Sequence, residues 1–177
     1  VNLTDEVVER IAGGFLIWCE KHLEKPAAGL KIAVGHDSRI SADRISAALC
    51  RAFTPCGVQV LDCGLASTPS MFMATLELPC DCAVQITASH HPFFRNGLKF
   101  FTPAGGLDSP DISEILAYAE AGEAPFPAAG GSVTPTDYMT RYAANLREMI
   151  KDGVAAPGRD HPLQGFKIVV DAGNGAG

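Results

Sequence analysis

Three short apolar runs, residues 30–35, 57–63 and 82–87, recur through the first half of the chain, and each empties into a polar loop. Runs of this length are too short for a stable helix and suit strands buried on both faces. Between them the apolar spacing changes to three and four residues. Ile45, Ala48, Leu49 and Ala52 follow Ser41, a candidate helix cap, until Pro55 stops the helix, and Ser67-Thr68-Pro69 opens the next with a capping residue ahead of a proline. Strand, helix, strand, helix, strand specifies an open α/β sheet that is mainly parallel. Ahead of it, Val7, Ile11, Phe15, Trp18 and His22 form one stripe of a helix capped by Thr4 and weakened locally by Gly13 and Gly14. After residue 87, Asn96-Gly97 marks a tight turn, and Leu98-Lys99-Phe100-Phe101-Thr102 returns antiparallel. The expected fold class is therefore α/β, three layers in the order α/β/α around a mixed, mostly parallel sheet.

The second half is mostly helical. The pattern predicts a helix near 110–121, a loop over 122–131 rich in Ala, Pro and Gly, and a further helix that starts at Thr134-Pro135-Thr136-Asp137 and carries Tyr138, Tyr142, Leu146 and Ile150. Residues 151–164 have the composition of a linker. Phe166-Lys167-Ile168-Val169-Val170-Asp171 then reads as a new buried strand running into a glycine-rich turn at 172–177. The expected organisation is one domain over 1–163 and, over 164–177, the start of a second, so that the chain is a fragment.

With 177 residues, 47% of them hydrophobic, the chain can bury a full core. A formal charge of −6 with no Lys/Arg run argues against a nucleic-acid partner, though one local cationic cluster can still hold a phosphorylated small molecule. No apolar run approaches the roughly 20 residues of a membrane span. Six cysteines, at 19, 50, 56, 63, 80 and 82, lack a secreted framework and read as reduced thiols of a cytoplasmic protein.

Ligands of open α/β sheets collect beyond the carboxyl ends of the strands. Two polar loops fall there, residues 37–41 and 87–96. In the first, Asp37 and Arg39 pair as a brace. The second holds Ser89, His90, His91 and Pro92, with Lys99 on the strand that follows. A serine that carries a phosphoryl group needs cations, N–H donors and a proton partner nearby, and this loop offers them. Residue type and spacing alone leave Ser89 open between a turn residue and a nucleophile. They also leave open a zinc site made of Cys80, Cys82, His90 and His91, the two thiols sharing one strand face, and a dinucleotide-type turn at Gly173, Gly175 and Gly177.

Thr87-Ala88-Ser89-His90-His91-Pro92 with Asn96-Gly97-Leu98-Lys99 resembles the phosphoserine loop of the α-D-phosphohexomutases, Thr-Ala-Ser-His-Asn-Pro followed by Asn-Gly-x-Lys. Gly35-His36-Asp37-Ser38-Arg39-Ile40-Ser41 is similar to that family's Gly-x-Asp-x-Arg-x-Ser segment. Gly64-Leu65-Ala66-Ser67-Thr68-Pro69 is similar to its Gly-x-x-x-Thr-Pro helix start, and residues 170–177 to the opening of its second domain. The resemblance implies the first of four domains of a phosphoglucomutase/phosphomannomutase. In it phosphorylated Ser89 gives its phosphoryl group to a hexose phosphate and takes one back from the bisphosphate intermediate, moving phosphate between O1 and O6. It also implies Mg²⁺ on the phosphoserine oxygen, Lys99 as a point charge, His90 as a hydrogen-bond donor or proton partner, and Asp37 and Arg39 as support for the loop. The remaining domains of the same polypeptide would be its partners, and the chain alone would not turn over hexose phosphate. His91 stands where the family has Asn. A noncatalytic phosphosugar-binding domain is the alternative from another class.

Overall fold

The structure, a computed structural model, describes residues 3–154, 160–171 and 173. Its first helix, α1 (Asp5–His22), starts where the Thr4 hydroxyl accepts the Val7 N–H. Strand β1 (Lys31–His36), helix α2 (Ala42–Phe53), strand β2 (Gln59–Leu65), helix α3 (Thr68–Glu77) and strand β3 (Cys82–Ile86) follow in alternation. The hairpin β4 (Leu98–Thr102) and β5 (Gly105–Gly106) leads to helix α4 (Ser109–Ala121), strand β6 (Ser132–Pro135) and helix α5 (Tyr138–Val154). The sheet order is β5-β4-β3-β1-β2-β6. β1 runs parallel to β2 and β3, and β2 to β6, while β4 opposes β3 and β5 opposes β4.

The period of two along each strand sends side chains to two separate cores. Ile32, Val34, Val60, Cys82, Val84, Ile86 and Phe100 pack under α1, α2 and α4. Ala33, Cys63, Ala83 and Phe101 pack with Met71 and Ala74 of α3 and Tyr138 of α5. Sheet central, helices on both faces: this is the α/β/α arrangement read from the sequence. All six cysteines are free thiols, and burial pushes Cys63 up to about 12 and Cys80 up to about 11, so those two are protonated packing groups. No helix among the described residues is long and apolar enough to cross a membrane.

Five local expectations are corrected. Ser41 does not cap α2 with its side chain: its backbone, near φ −95° and ψ 1°, lacks the extended form a cap needs, and its hydroxyl donates to Asn96 Oδ1 instead. The turn lies not at Asn96-Gly97 but at Pro92–Arg95, closed by the Arg95 N–H on the Pro92 carbonyl. Gly97 serves a close approach, since a Cβ there would sit 2.7 Å from the Thr87 carbonyl oxygen. Thr134 and Pro135 belong to the edge strand β6, where a proline is tolerated because no neighbour needs its N–H, and Asp137 accepts the Thr140 N–H as α5 begins. Residues 166–171 form no strand. They have no ladder partner among the described residues, and Val169 is 96% exposed. α5 also runs to Val154, so the expected linker begins later, and the glycine turn at 172–177 lies, apart from Gly173, outside the described residues.

Close packing explains the two central glycines of α1, and a Cβ on Gly13 would sit 3.0 Å from the Glu123 carbonyl oxygen. α1 lies so close to α4 that a Cβ on Gly14 would meet the Ile115 carbonyl oxygen at 2.4 Å. Arg10 of α1 binds the Ala119 and Glu120 carbonyls at the end of α4 in the same contact. In a free helix Gly→Ala gains about 1 kcal/mol. Here Gly14→Ala is expected to destabilise by about 1–3 kcal/mol through overpacking, measured by urea denaturation. A gain in stability would contradict the close-packed interface.

Candidate functional site

β1, β2 and β3 all end on the same side of the sheet, because parallel strands share direction, and their loops meet there. Asp37, Ser38 and Arg39 leave β1; Ala66, Ser67 and Thr68 leave β2; Thr87, Ser89 and His90 leave β3. Together they line a cavity of about 510 Å³ that also touches Gln85, His91, Phe93 and Gly173. α3 starts at its edge, with the Ser67 hydroxyl accepting the Ser70 N–H and Pro69 in the first turn.

The Ser89 loop is held by one guanidinium. Arg39 is buried, and its Nε donates to Asp37 Oδ2 at 3.0 Å, the ion pair expected from the sequence. Its Nη2 donates to the Ser89 carbonyl at 2.8 Å. Its Nη1 lies 2.7 Å from the Arg95 carbonyl, 3.0 Å from that of Pro92 and 3.4 Å from that of His91. A charged donor fork gives each such bond about 1.5–3 kcal/mol before the cost of burying the charge. A second chain of bonds runs from Asp37 to the serine itself: the Thr87 hydroxyl donates to Asp37 Oδ2 at 2.7 Å and accepts the Ser89 N–H at 2.9 Å. The Ser41–Asn96 bond ties the same two loops a third time.

These bonds fix Ser89 in an unfavourable conformation. Its φ is +54°, a value that only Glu24 shares among the described non-glycine residues. A left-handed L-residue costs about 1–2 kcal/mol, and such strain persists only where the surroundings over-determine it. The side chain is exposed, and Oγ lies 3.4 Å from His90 Nδ1. His90 stacks on His91 with ring centroids 5.0 Å apart, so the imidazole at the position of the family's amide buttresses the one beside Ser89.

Ser89, His90, Asp37 and Arg39 are thus brought to one cavity. Lys99 does not line it: it is exposed on β4, directly across from cavity-lining Gln85 and on the same face of the sheet. Thr87 was not singled out from the sequence. Its signal was present, because a hydroxyl two residues before Ser89 is the spacing of a side-chain turn. The Ser41–Asn96 contact has no local signal.

The zinc reading fails on geometry. β3 begins at Cys82, so strand alternation does not reach Cys80. Cys82 lies 3.7 Å from Cys19 under α1, whereas Cys80 bonds the Ala74 carbonyl on the α3 side. The histidines sit at the other end of β3, and no group of three or more metal-ligating side chains occurs among the described residues. The same count bears on Mg²⁺, which prefers several oxygens. Ser89 offers one exposed oxygen, and the Asp37 carboxylate is committed to Arg39 and Thr87. The residues present do not by themselves make a magnesium site.

Fold and site define a doubly wound α/β domain that presents a strained, exposed serine at the carboxyl rim of its sheet. Residues 1–125 match the family described as "Phosphoglucomutase/phosphomannomutase, alpha/beta/alpha domain I". The chain is 35% identical over 144 residues to a phosphoglucosamine mutase of Bifidobacterium animalis subsp. lactis, covering 81% of this chain and 32% of that protein. It is 32% identical over 186 residues to a phosphoglucosamine mutase of Pediococcus pentosaceus, covering 99% and 38% respectively. A crystal structure of a phosphoglucomutase/phosphomannomutase family protein from Burkholderia thailandensis superposes with a TM-score of 0.67 at 23% identity, over 82% of this chain and 32% of that one, a likeness of fold. The chain belongs to the phosphoglucomutase/phosphomannomutase family, and it spans 32% and 38% of the length of those two curated relatives.

Thr87→Val keeps the shape of the side chain and removes the oxygen between Asp37 and Ser89. It is expected to cost about 1–3 kcal/mol, because the Ser89 N–H loses its acceptor and Asp37 Oδ2, still bound by Arg39 Nε, loses one of its two donors. Urea denaturation of the variant checks this, and an unchanged midpoint would contradict it.

Proposed function

We propose that this chain is the phosphoserine-bearing first domain of a phosphohexomutase, with Ser89 the group that receives and returns the phosphoryl as phosphate moves between O1 and O6 of a hexose phosphate. The carrying observation is that Ser89 is exposed, strained and clamped while His90 lies beside its oxygen. A residue held in a costly conformation at the rim of a cavity is the pattern of a functional group whose pose has been set in advance.

The chemistry balances without a co-reactant. The Ser89 oxygen attacks a phosphoryl group of the sugar bisphosphate, the new Oγ–P bond forms as the sugar O–P bond breaks, and the serine proton ends on the released sugar hydroxyl. In the reverse direction a sugar hydroxyl attacks phosphoserine and its proton returns to Oγ. His90, with Nδ1 3.4 Å from Oγ, is the group that carries that proton. Lys99 would add positive charge to the transferring group by swinging from the neighbouring strand. Family members are phosphotransferring isomerases of carbohydrate metabolism, and the Mg²⁺ that the resemblance implies would draw its carboxylates from outside the described residues.

The reading commits to the transfer and to a hexose phosphate. Thr87-Ala88-Ser89-His90 and Arg95-Asn96-Gly97 favour the phosphoglucomutase/phosphomannomutase branch, whereas the two curated relatives carry the name phosphoglucosamine mutase. Residues outside this chain therefore choose among glucose, mannose and glucosamine. The reading further takes 164–177 as the entry to a second domain, the remaining domains as partners in the same cytoplasmic polypeptide, and the isolated chain as inactive.

Incubating the full-length polypeptide with hexose 1,6-bisphosphate and mapping phosphopeptides tests this. One phosphoryl group on Ser89 is expected, absent in Ser89→Ala, with mutase activity lower by at least about a thousandfold in that variant. Sugar phosphate binding without any phosphoserine would favour the noncatalytic alternative.

A further inference from the structure

Two aromatic rings stand in solvent on the turn that follows Ser89. Phe93 is 64% and Phe94 61% exposed, and their centroids are 5.6 Å apart in an edge-to-face pair. A phenyl ring left in water forgoes about 1.5–3 kcal/mol of burial, and two such rings side by side make a contiguous apolar patch of the kind that marks a contact surface. These are held. Arg39 Nη1 binds the carbonyls of Pro92 and Arg95, the residues on either side of the pair, and the Arg95 N–H closes the turn on Pro92. The guanidinium that fixes the Ser89 backbone therefore also fixes the backbone from which both rings project.

The rings differ in where they face. Phe93 lines the cavity with Ser89 and His90, and Phe94 does not. Phe93 is also the one large apolar side chain among the described lining residues, the rest being polar, charged or small. A phosphorylated hexose has matching chemistry: hydroxyls and phosphates around its edge, and a face of polarised C–H bonds suited to the electron-rich face of an arene.

We infer that Phe93 is a substrate-binding residue whose ring stacks on the C–H face of the hexose while Ser89 exchanges the phosphoryl group, an assignment that rests on the reading of Ser89 given above. No bond is made or broken at Phe93. Its contribution is to hold the sugar so that one hydroxyl faces the serine, and what it requires is a flat aromatic surface rather than apolar bulk.

The test uses the full-length polypeptide as wild type, Phe93→Ala, Phe93→Leu, Phe93→Tyr and Phe94→Ala. Mutase kinetics are read with glucose 1-phosphate or glucosamine 6-phosphate, whichever is turned over, beside phosphoserine stoichiometry at saturating hexose 1,6-bisphosphate. Phe93→Ala and Phe93→Leu are expected to raise KM about tenfold, Phe93→Tyr to stay within about twofold, Phe94→Ala to match wild type, and Ser89 to be phosphorylated in all five. Wild-type KM in the leucine variant would overturn the inference, since apolar packing would suffice. So would an unchanged KM in Phe93→Ala, or equal effects at Phe93 and Phe94. Absence of phosphate from Ser89 in the wild-type protein would instead remove the underlying reading.

Discussion

The site depends on a single guanidinium placed between two loops. Arg39 leaves the end of β1, pairs with Asp37 two residues earlier, and spends its remaining donors on backbone carbonyls of the loop beyond β3. Carbonyl partners do not depend on the side chains around them. The clamp therefore fixes the path of the loop while leaving Ser89, His90 and Phe93 facing outward. Lysine, with one compact ammonium, lacks the planar fork that spans these acceptors.

The fold makes the clamp possible. Parallel strands bring the loops after β1 and β3 to the same rim, side by side, because β3 is the direct neighbour of β1 in the sheet. The helices after β1 and β2 go to opposite faces, which opens the crevice where Ser89, Ser67 and Thr68 meet. Strain at Ser89 and burial of Arg39 each carry a cost, and each is offset by the same set of bonds. Removing either loop would leave the other with guanidinium donors that lack acceptors or with an unsupported left-handed residue.

How much of this was legible in the sequence follows from the range of the interactions. The alternation of apolar runs with helical spacing is local, and it gave β1, α2, β2, α3, β3 and β4 in order. The Asp37–Arg39 pair spans two residues and was readable. β6 was not, since Ser132–Pro135 is exposed and becomes a strand only because β2 offers it an edge. The turn after Ser89 was misplaced because Asn-Gly is a strong hairpin signal, overridden here by the carbonyls that Arg39 gathers at Pro92 and Arg95. The strand expected at 166–171 fails for the converse reason: apolar composition does not make a strand without a neighbour to pair with. Ser89 stands out by its motif, whereas its positive φ depends on a bond from Arg39, 50 residues away, that leaves no local signal.

The most direct measurement is amide hydrogen exchange across residues 88–97 in wild type and Arg39→Lys, which keeps the charge and loses the fork. The clamp predicts slow exchange at Ser89, His91 and Arg95 in the wild type, whose N–H groups bond Thr87 Oγ1, the Ala88 carbonyl and the Pro92 carbonyl. In the variant those three amides are expected to exchange at least about tenfold faster while β1 and β3 stay protected. Equal exchange rates in the two proteins would show that the loop holds its shape without the guanidinium, and would contradict the account.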